Sequence, residues 1–154
     1  SPGGAMTARG VHMVDSMVHI AGPAATVFAF SERQQHTIDV DDTTACLMRF
    51  ANGVTGTLGT LHATSAFYRI HAFGSQGALE MRGETELLVC DLAGNVQCIT
   101  YDAVDKERAE LEAFADAVAN GVKFVIAPEE LLNTVAVTEA VAASACSGKA
   151  VTIG

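Results

Sequence analysis

The chain has no tryptophan, three prolines and only nine basic residues in 154. Eighteen acidic residues set against those nine leave a net charge of -9. That deficit disfavours nucleic acid and anionic membrane as partners, because both reward clusters of Lys and Arg. The acidic excess reads as solubility. No apolar run approaches the length of a membrane span, and no signal-peptide pattern opens the chain. Four cysteines, Cys46, Cys90, Cys98 and Cys146, contain no CxxC pair, and five histidines show no clustered spacing. Structural metal sites want short, paired ligand spacings, so no metal is expected. Cys90 and Cys98 flank Gly94 symmetrically and could face each other across a hairpin. Nothing points to an oxidising compartment, so they read as reduced thiols of a cytoplasmic protein.

What is present is apolar and strongly patterned. Apolar residues make up 49%, enough for 154 residues to bury one core as a single domain. The start, Ser1-Pro2-Gly3-Gly4, is not a natural one and suggests a fragment of a longer protein. The first twenty residues read as a helix with Arg9, His12, Asp15, Ser16 and His19 on one polar stripe. Such a stripe is either a wet face or the wall of a reaction site. Gly22-Pro23 should end the helix.

Residues 26–31 then read as a strand and residues 32–42 as a polar loop, with Asp41-Asp42 as turn chemistry. Two strand-like runs, 43–50 and 54–61, flank Asn52-Gly53, the strongest short hairpin signal. Runs at 68–73, 78–82, 86–91 and 96–101 follow, separated by glycine-bearing turns. Strands joined by tight turns pair antiparallel, so these form a meander. Residues 106–120 carry Leu111, Phe114, Ala115 and Val118 at helical spacing and stop at Gly121. A last helix opens at Pro128 and closes on Gly148, and residues 151–153 suggest an edge strand. The expected fold is α+β: an N-terminal helix, an open and largely antiparallel sheet of about six or seven strands, and helices packed on one face. In residues 43–61 both strand faces are small or apolar, so the uncovered face is expected to be a dimer interface.

In this order the segments resemble the C-terminal domain of the Gfo/Idh/MocA family of NAD(P)-dependent oxidoreductases. The resemblance is carried by Gly3-Gly4 through residues 10–15, by 41–58 and by 74–80. Residues 110–121, 128–130 and 147–152 complete it, so it spans essentially residues 1–154. It implies that NAD or NADP is held mainly by an N-terminal Rossmann domain absent from this chain, along with any catalytic lysine. This fragment would be the substrate-binding and oligomerisation domain, inactive alone. Its small-molecule substrate would be a sugar, an inositol or a related polyol, reacting at a secondary alcohol. Consistent with this, Gly53, Gly56 and Gly59 sit in a hairpin rather than between a strand and a helix.

Alcohol oxidation needs a base at the hydroxyl proton, and an imidazole titrates in the right range. The family places a histidine two residues after a glycine at the start of this domain, and His12 after Gly10 fills that position. His12 is therefore the candidate acid/base; hydrogen bonding without proton transfer, or plain packing, are the other readings. Gly10 costs helix stability, and close approach by substrate or cofactor would explain it. Many members have an aspartate four residues before the histidine, where this chain has Ala8. That departure leaves open a non-catalytic binding or regulatory module of the same fold. Asp15 matches a later aspartate of the family, expected to be structural, although it could orient His12 or meet substrate. Arg9, one turn before His12, could meet an anionic group of the substrate or be a plain surface arginine. His19 reads as solvated or capping, His62 and His71 as sheet-surface residues, and His36 as a loop residue.

Overall fold

The computed structural model describes Gly4 and residues 6–154. Ser1, Pro2, Gly3 and Ala5, which the opening helix and the family resemblance both included, lie outside the described residues. The residues fall into two units, one built from the chain up to Thr64 together with Val125–Gly154, the other from Ser65–Phe124.

The first unit begins with a π-helical turn, Met6–Gly10, that runs into α1, Val11–Ala21. Gly22 ends α1 at φ +83°, and its N–H returns to the Val18 carbonyl at 2.8 Å. Only glycine takes that backbone conformation cheaply, and Pro23 then blocks any continuation. Strands β1 (Ala24–Glu32), β2 (Thr43–Phe50), β3 (Thr55–Leu61) and β8 (Val151–Thr152) form an antiparallel sheet in the order β3-β2-β1-β8. Strand alternation sorts β2: Thr44, Cys46, Met48 and Phe50 are buried, while Ala45, Leu47 and Arg49 face outward. Against the buried face pack Val14 and Val18 of α1 and Val137, Ala140 and Val141 of α3, Pro128–Ser147. Each large side chain buried here contributes roughly 1.5–3 kcal/mol.

Two polar side chains of α3 fix β1 to that helix. Asn133 Oδ1 accepts the Ala24 N–H at 2.9 Å. Ser144 Oγ accepts the Ala29 N–H at 2.9 Å and donates to the Lys149 carbonyl at 2.6 Å. Both satisfy backbone groups that would otherwise be stranded at the sheet–helix junction. Asp42, buried, closes the 33–42 loop by accepting the N–H groups of Gln34, Gln35 and His36 at 2.7–2.9 Å. Those donors hold its carboxyl far below the ordinary carboxylate range, the His36 N–H most of all.

The second unit is a four-stranded meander, β4 (Arg69–Gly74), β5 (Gly77–Arg82), β6 (Glu86–Asp91) and β7 (Val96–Thr100), in sequence order. Helix α2, Lys106–Asn120, follows, capped by the Asp105 side chain and ended by Gly121 at φ +66°. None of its residues is buried, and Leu111, Phe114 and Val118 are exposed.

The α+β class, the opening helix and the antiparallel hairpins stand as the sequence indicated. Among the described residues the strands number eight, in two sheets of four. The division falls at residues 62–68, where no tight turn joins β3 to β4. The free edge of β1 is taken instead by β8, from the far end of the chain.

Candidate functional site

Helix α1 carries the candidate residues, and its packing decides which of them reach solvent. Val14 and Val18 point into the core, so positions on the opposite side of the helix are open. Arg9 and His12 are exposed there, with Ala8 beside them. Ser16 turns back and donates to the His12 carbonyl at 2.9 Å. Asp15 is half-buried toward α3, where Thr134 Oγ1 donates to its Oδ1 at 3.2 Å. His19 reaches α3 as well, with Nδ1 3.3 Å from Glu130 Oε2. The polar stripe thus divides into residues that tie α1 to α3, Asp15 and His19, and residues that face outward, Arg9 and His12. Asp15 meets Thr134 rather than His12.

Gly10 has a different reason from the one the sequence suggested. It is buried, and a Cβ there would run into the Met6 sulfur and come within 3.0 Å of Thr60 Cγ2. The close approach seen in the fold is to β3. Thr60 Oγ1, buried against this turn, has no hydrogen-bond partner among the described residues. Nothing in the sequence marks Thr60, because its contact with the π-turn spans some fifty residues of chain. π-turns recur at functional sites in helices, and this one ends two residues before His12. A cleft of about 580 Å³ opens beside it, lined by Met6, Thr7, Asp41, Thr138, Glu139 and Ala142 among others.

The other singled-out residues lie elsewhere. His36 and His62 stack edge to face with centroids 5.7 Å apart in the first unit. In the second, Glu80 gathers Arg69 (3.1 Å), His71 (3.1 Å) and Arg82 (2.8 Å). The Arg82 hydrogen bonds, then that of His71, pull its carboxyl down to about 2. All four cysteines are free thiols. Cys90 pairs with Val96 and Cys98 with Leu88, so the two lie on a diagonal rather than facing each other. Burial pushes the Cys46 thiol up to about 11. Among the described residues no three His, Cys, Asp or Glu side chains converge on a metal-sized point. No described helix is long and apolar enough to cross a membrane. Gly53, Gly56 and Gly59 lie in the β2–β3 turn and in β3, with no helix following, so they form no dinucleotide cradle.

The architecture recurs in solved oxidoreductases. A candidate NADPH-dependent oxidoreductase from Desulfitobacterium hafniense superposes with a TM-score of 0.88 at 27% identity, covering 99% of this chain and 49% of that one. An oxidoreductase from Agrobacterium radiobacter, solved with NAD+, L-tartaric acid and magnesium, gives 0.83 at 22% identity, covering 100% and 50%. The aldose-aldose oxidoreductase of Caulobacter crescentus, solved with glycerol, gives 0.84 at 17% identity, covering 97% and 48%. The chain therefore spans about half the length of these relatives. Comparison with curated proteins finds no match. The family model for the GFO/IDH/MocA C-terminal domain matches residues 1–80, and with that match this chain belongs to the GFO/IDH/MocA family as its C-terminal domain.

Proposed function

We propose that residues 1–154 are the substrate-binding and oligomerisation domain of a nicotinamide-dependent oxidoreductase that acts on a secondary alcohol of a sugar, an inositol or a related polyol. An N-terminal Rossmann domain outside this chain holds NAD or NADP, and the protein works in the cytoplasm. The observation that carries the reading is the exposure of His12 on the outward side of α1, where the resemblance to the family puts its histidine. The sugar-like and hydroxy-acid ligands of two relatives, glycerol and L-tartaric acid, support the substrate class.

With the cofactor held mainly by that N-terminal domain, this chain's part in the reaction is the proton. In the oxidative direction His12 takes the hydroxyl proton as the carbinol becomes a carbonyl; in reduction it returns that proton. Solvent access on the outward face lets the imidazole exchange the proton afterwards. Arg9 and Asp15 flank His12 within one turn, Arg9 toward the substrate and Asp15 chiefly as the tie to α3. The outer face of the first sheet is the homodimer contact.

The test is nicotinamide turnover by the full-length protein on a polyol panel, with and without His12→Ala. General acid–base roles contribute about 10²–10⁴-fold, so kcat should fall by at least about 100-fold. Unchanged turnover in the variant would remove His12 from the chemistry. The second reading, a non-catalytic module of the same fold, rests on Ala8 at the position of the usual aspartate. A full-length protein with no glycine fingerprint upstream and no turnover on any polyol would establish it.

A further inference from the structure

We infer that the substrate handled beside His12 carries an oxyanion, in the form of a carboxylate on a polyol chain, and that Arg9 is the residue that selects it. The inference rests on the acid/base reading of His12 and narrows its substrate class.

Three observations converge on Arg9. It is exposed on the same outward side of the helix as His12, one turn away, so one small molecule can touch both. Like Arg49, it has no ion pair among the described residues, whereas Arg33, Arg69, Arg82 and Arg108 each engage a carboxylate. Three carboxylates of the same unit are otherwise placed: Asp15 meets Thr134, while Asp41 and Glu139 line the cleft beside the π-turn. Neither Asp41 nor Glu139 pairs with Arg9. Third, the charge runs against the helix. Neither the π-turn nor the first turn of α1 holds an acidic residue, and Arg9 adds a cation where the helix dipole is already positive. A fold optimised for stability alone would place Asp or Glu there, especially a chain with eighteen acidic residues to draw on.

Ala8 completes the argument. Oxidising or reducing a neutral polyol tolerates a carboxylate next to the histidine, but an anionic substrate would be repelled by it. With alanine at position 8 and arginine at position 9, the turn that precedes His12 carries a positive charge and no carboxylate. The guanidinium fork matches the two oxygens of a carboxylate, and binds a phosphate oxyanion by the same geometry.

The experiment measures kcat/KM of the full-length protein for gluconate, glucitol and glucitol 6-phosphate. The same ligands are then titrated into this 154-residue chain while the His12 ring and Arg9 Nε–H resonances are followed by NMR. Wild type should prefer gluconate. Arg9→Gln and Ala8→Asp should each lower the gluconate-to-glucitol selectivity ratio by about 10- to 100-fold, the worth of one charge-assisted hydrogen bond. Arg9→Lys should recover part of it. Turnover with a ratio near one, or a ratio unmoved by Arg9→Gln, overturns the inference and leaves the oxidoreductase reading standing. A preference for glucitol 6-phosphate overturns the choice of carboxylate. Gluconate shifting both resonances without turnover sinks the oxidoreductase reading on which the inference rests, and so overturns the substrate assignment with it. No shift and no turnover overturn both.

Discussion

At Gly10 a missing side chain does structural work that a functional motif conceals. The residue stands two before His12, and it is the absence of a Cβ that lets the π-turn lie on β3. Alanine there would meet the Met6 sulfur and the Thr60 methyl. Met6 is flexible, but Thr60 is β-branched and sits in a strand, so only one of the two can yield. Gly10→Ala should therefore destabilise the domain by roughly 1–3 kcal/mol, the usual cost of overpacking. Thermal unfolding monitored by circular dichroism checks it. An unchanged melting temperature would return Gly10 to a ligand-facing role. Met6 is itself a buried core residue, so Met6→Ala destabilises too; in that background Gly10→Ala should cost less than it does in wild type, which separates crowding from intrinsic helix propensity.

Between residues and whole sheets, the element most dependent on charge is the β4–β5 hairpin. Glu80 on β5 lies beside His71 on β4, and Arg69 and Arg82 pair two residues along the ladder, on the same face. The folded-state pKa of Glu80 is depressed from 4.5 to about 2, first by the Arg82 hydrogen bonds. A depressed acid contributes stability that is complete above its unfolded value and lost as pH falls toward its folded one. Glu80→Gln should therefore lower the stability of the meander at pH 7, with the deficit shrinking from pH 4.5 down and vanishing near pH 2. Amide exchange across β4 and β5, wild type against variant, reads this directly; a deficit that persisted at pH 2 would point to packing instead. Element boundaries like these were legible because their punctuation is local. Gly22-Pro23, Asn52-Gly53, Gly121, Pro128 and Gly148 all sit where the chain turns or stops. The π-turn was not legible, since five residues of it carry no signal distinct from an α-helix. Nor were the ties from Thr134 to Asp15 and from Ser144 to Ala29, each more than a hundred residues long in sequence. His12 could be singled out by motif, but its exposure follows from how Val14 and Val18 pack, which only the fold shows.

At the scale of the whole molecule the open question is the outer face of the first sheet. Strand register makes that face a grid rather than a scatter: Phe28, Leu47 and Thr57 align across three strands, and Phe30, Ala45 and Gly59 align beside them. Phe30 is 61% exposed, Leu47 58% and Leu61 59%, and Phe28 stacks edge to face on Phe30 at 5.0 Å. Contiguous apolar surface of this kind is costly in a monomer, and aromatic anchors are what interfaces concentrate. A two-fold partner presenting the same grid would cover it without exposing any new edge. The chain should therefore sediment as a dimer, and Leu47→Asp, which sets a carboxylate in the centre of the grid, should weaken association by at least about 30-fold, as loss of an interface hot spot does. Leu47 points away from the core, so the variant should keep the wild-type melting curve at dilutions where both are monomeric. A wild-type chain that stays monomeric at every concentration reached would leave this face to another occupant, and a Leu47→Asp protein that dimerises as tightly as wild type would move the contact off the sheet.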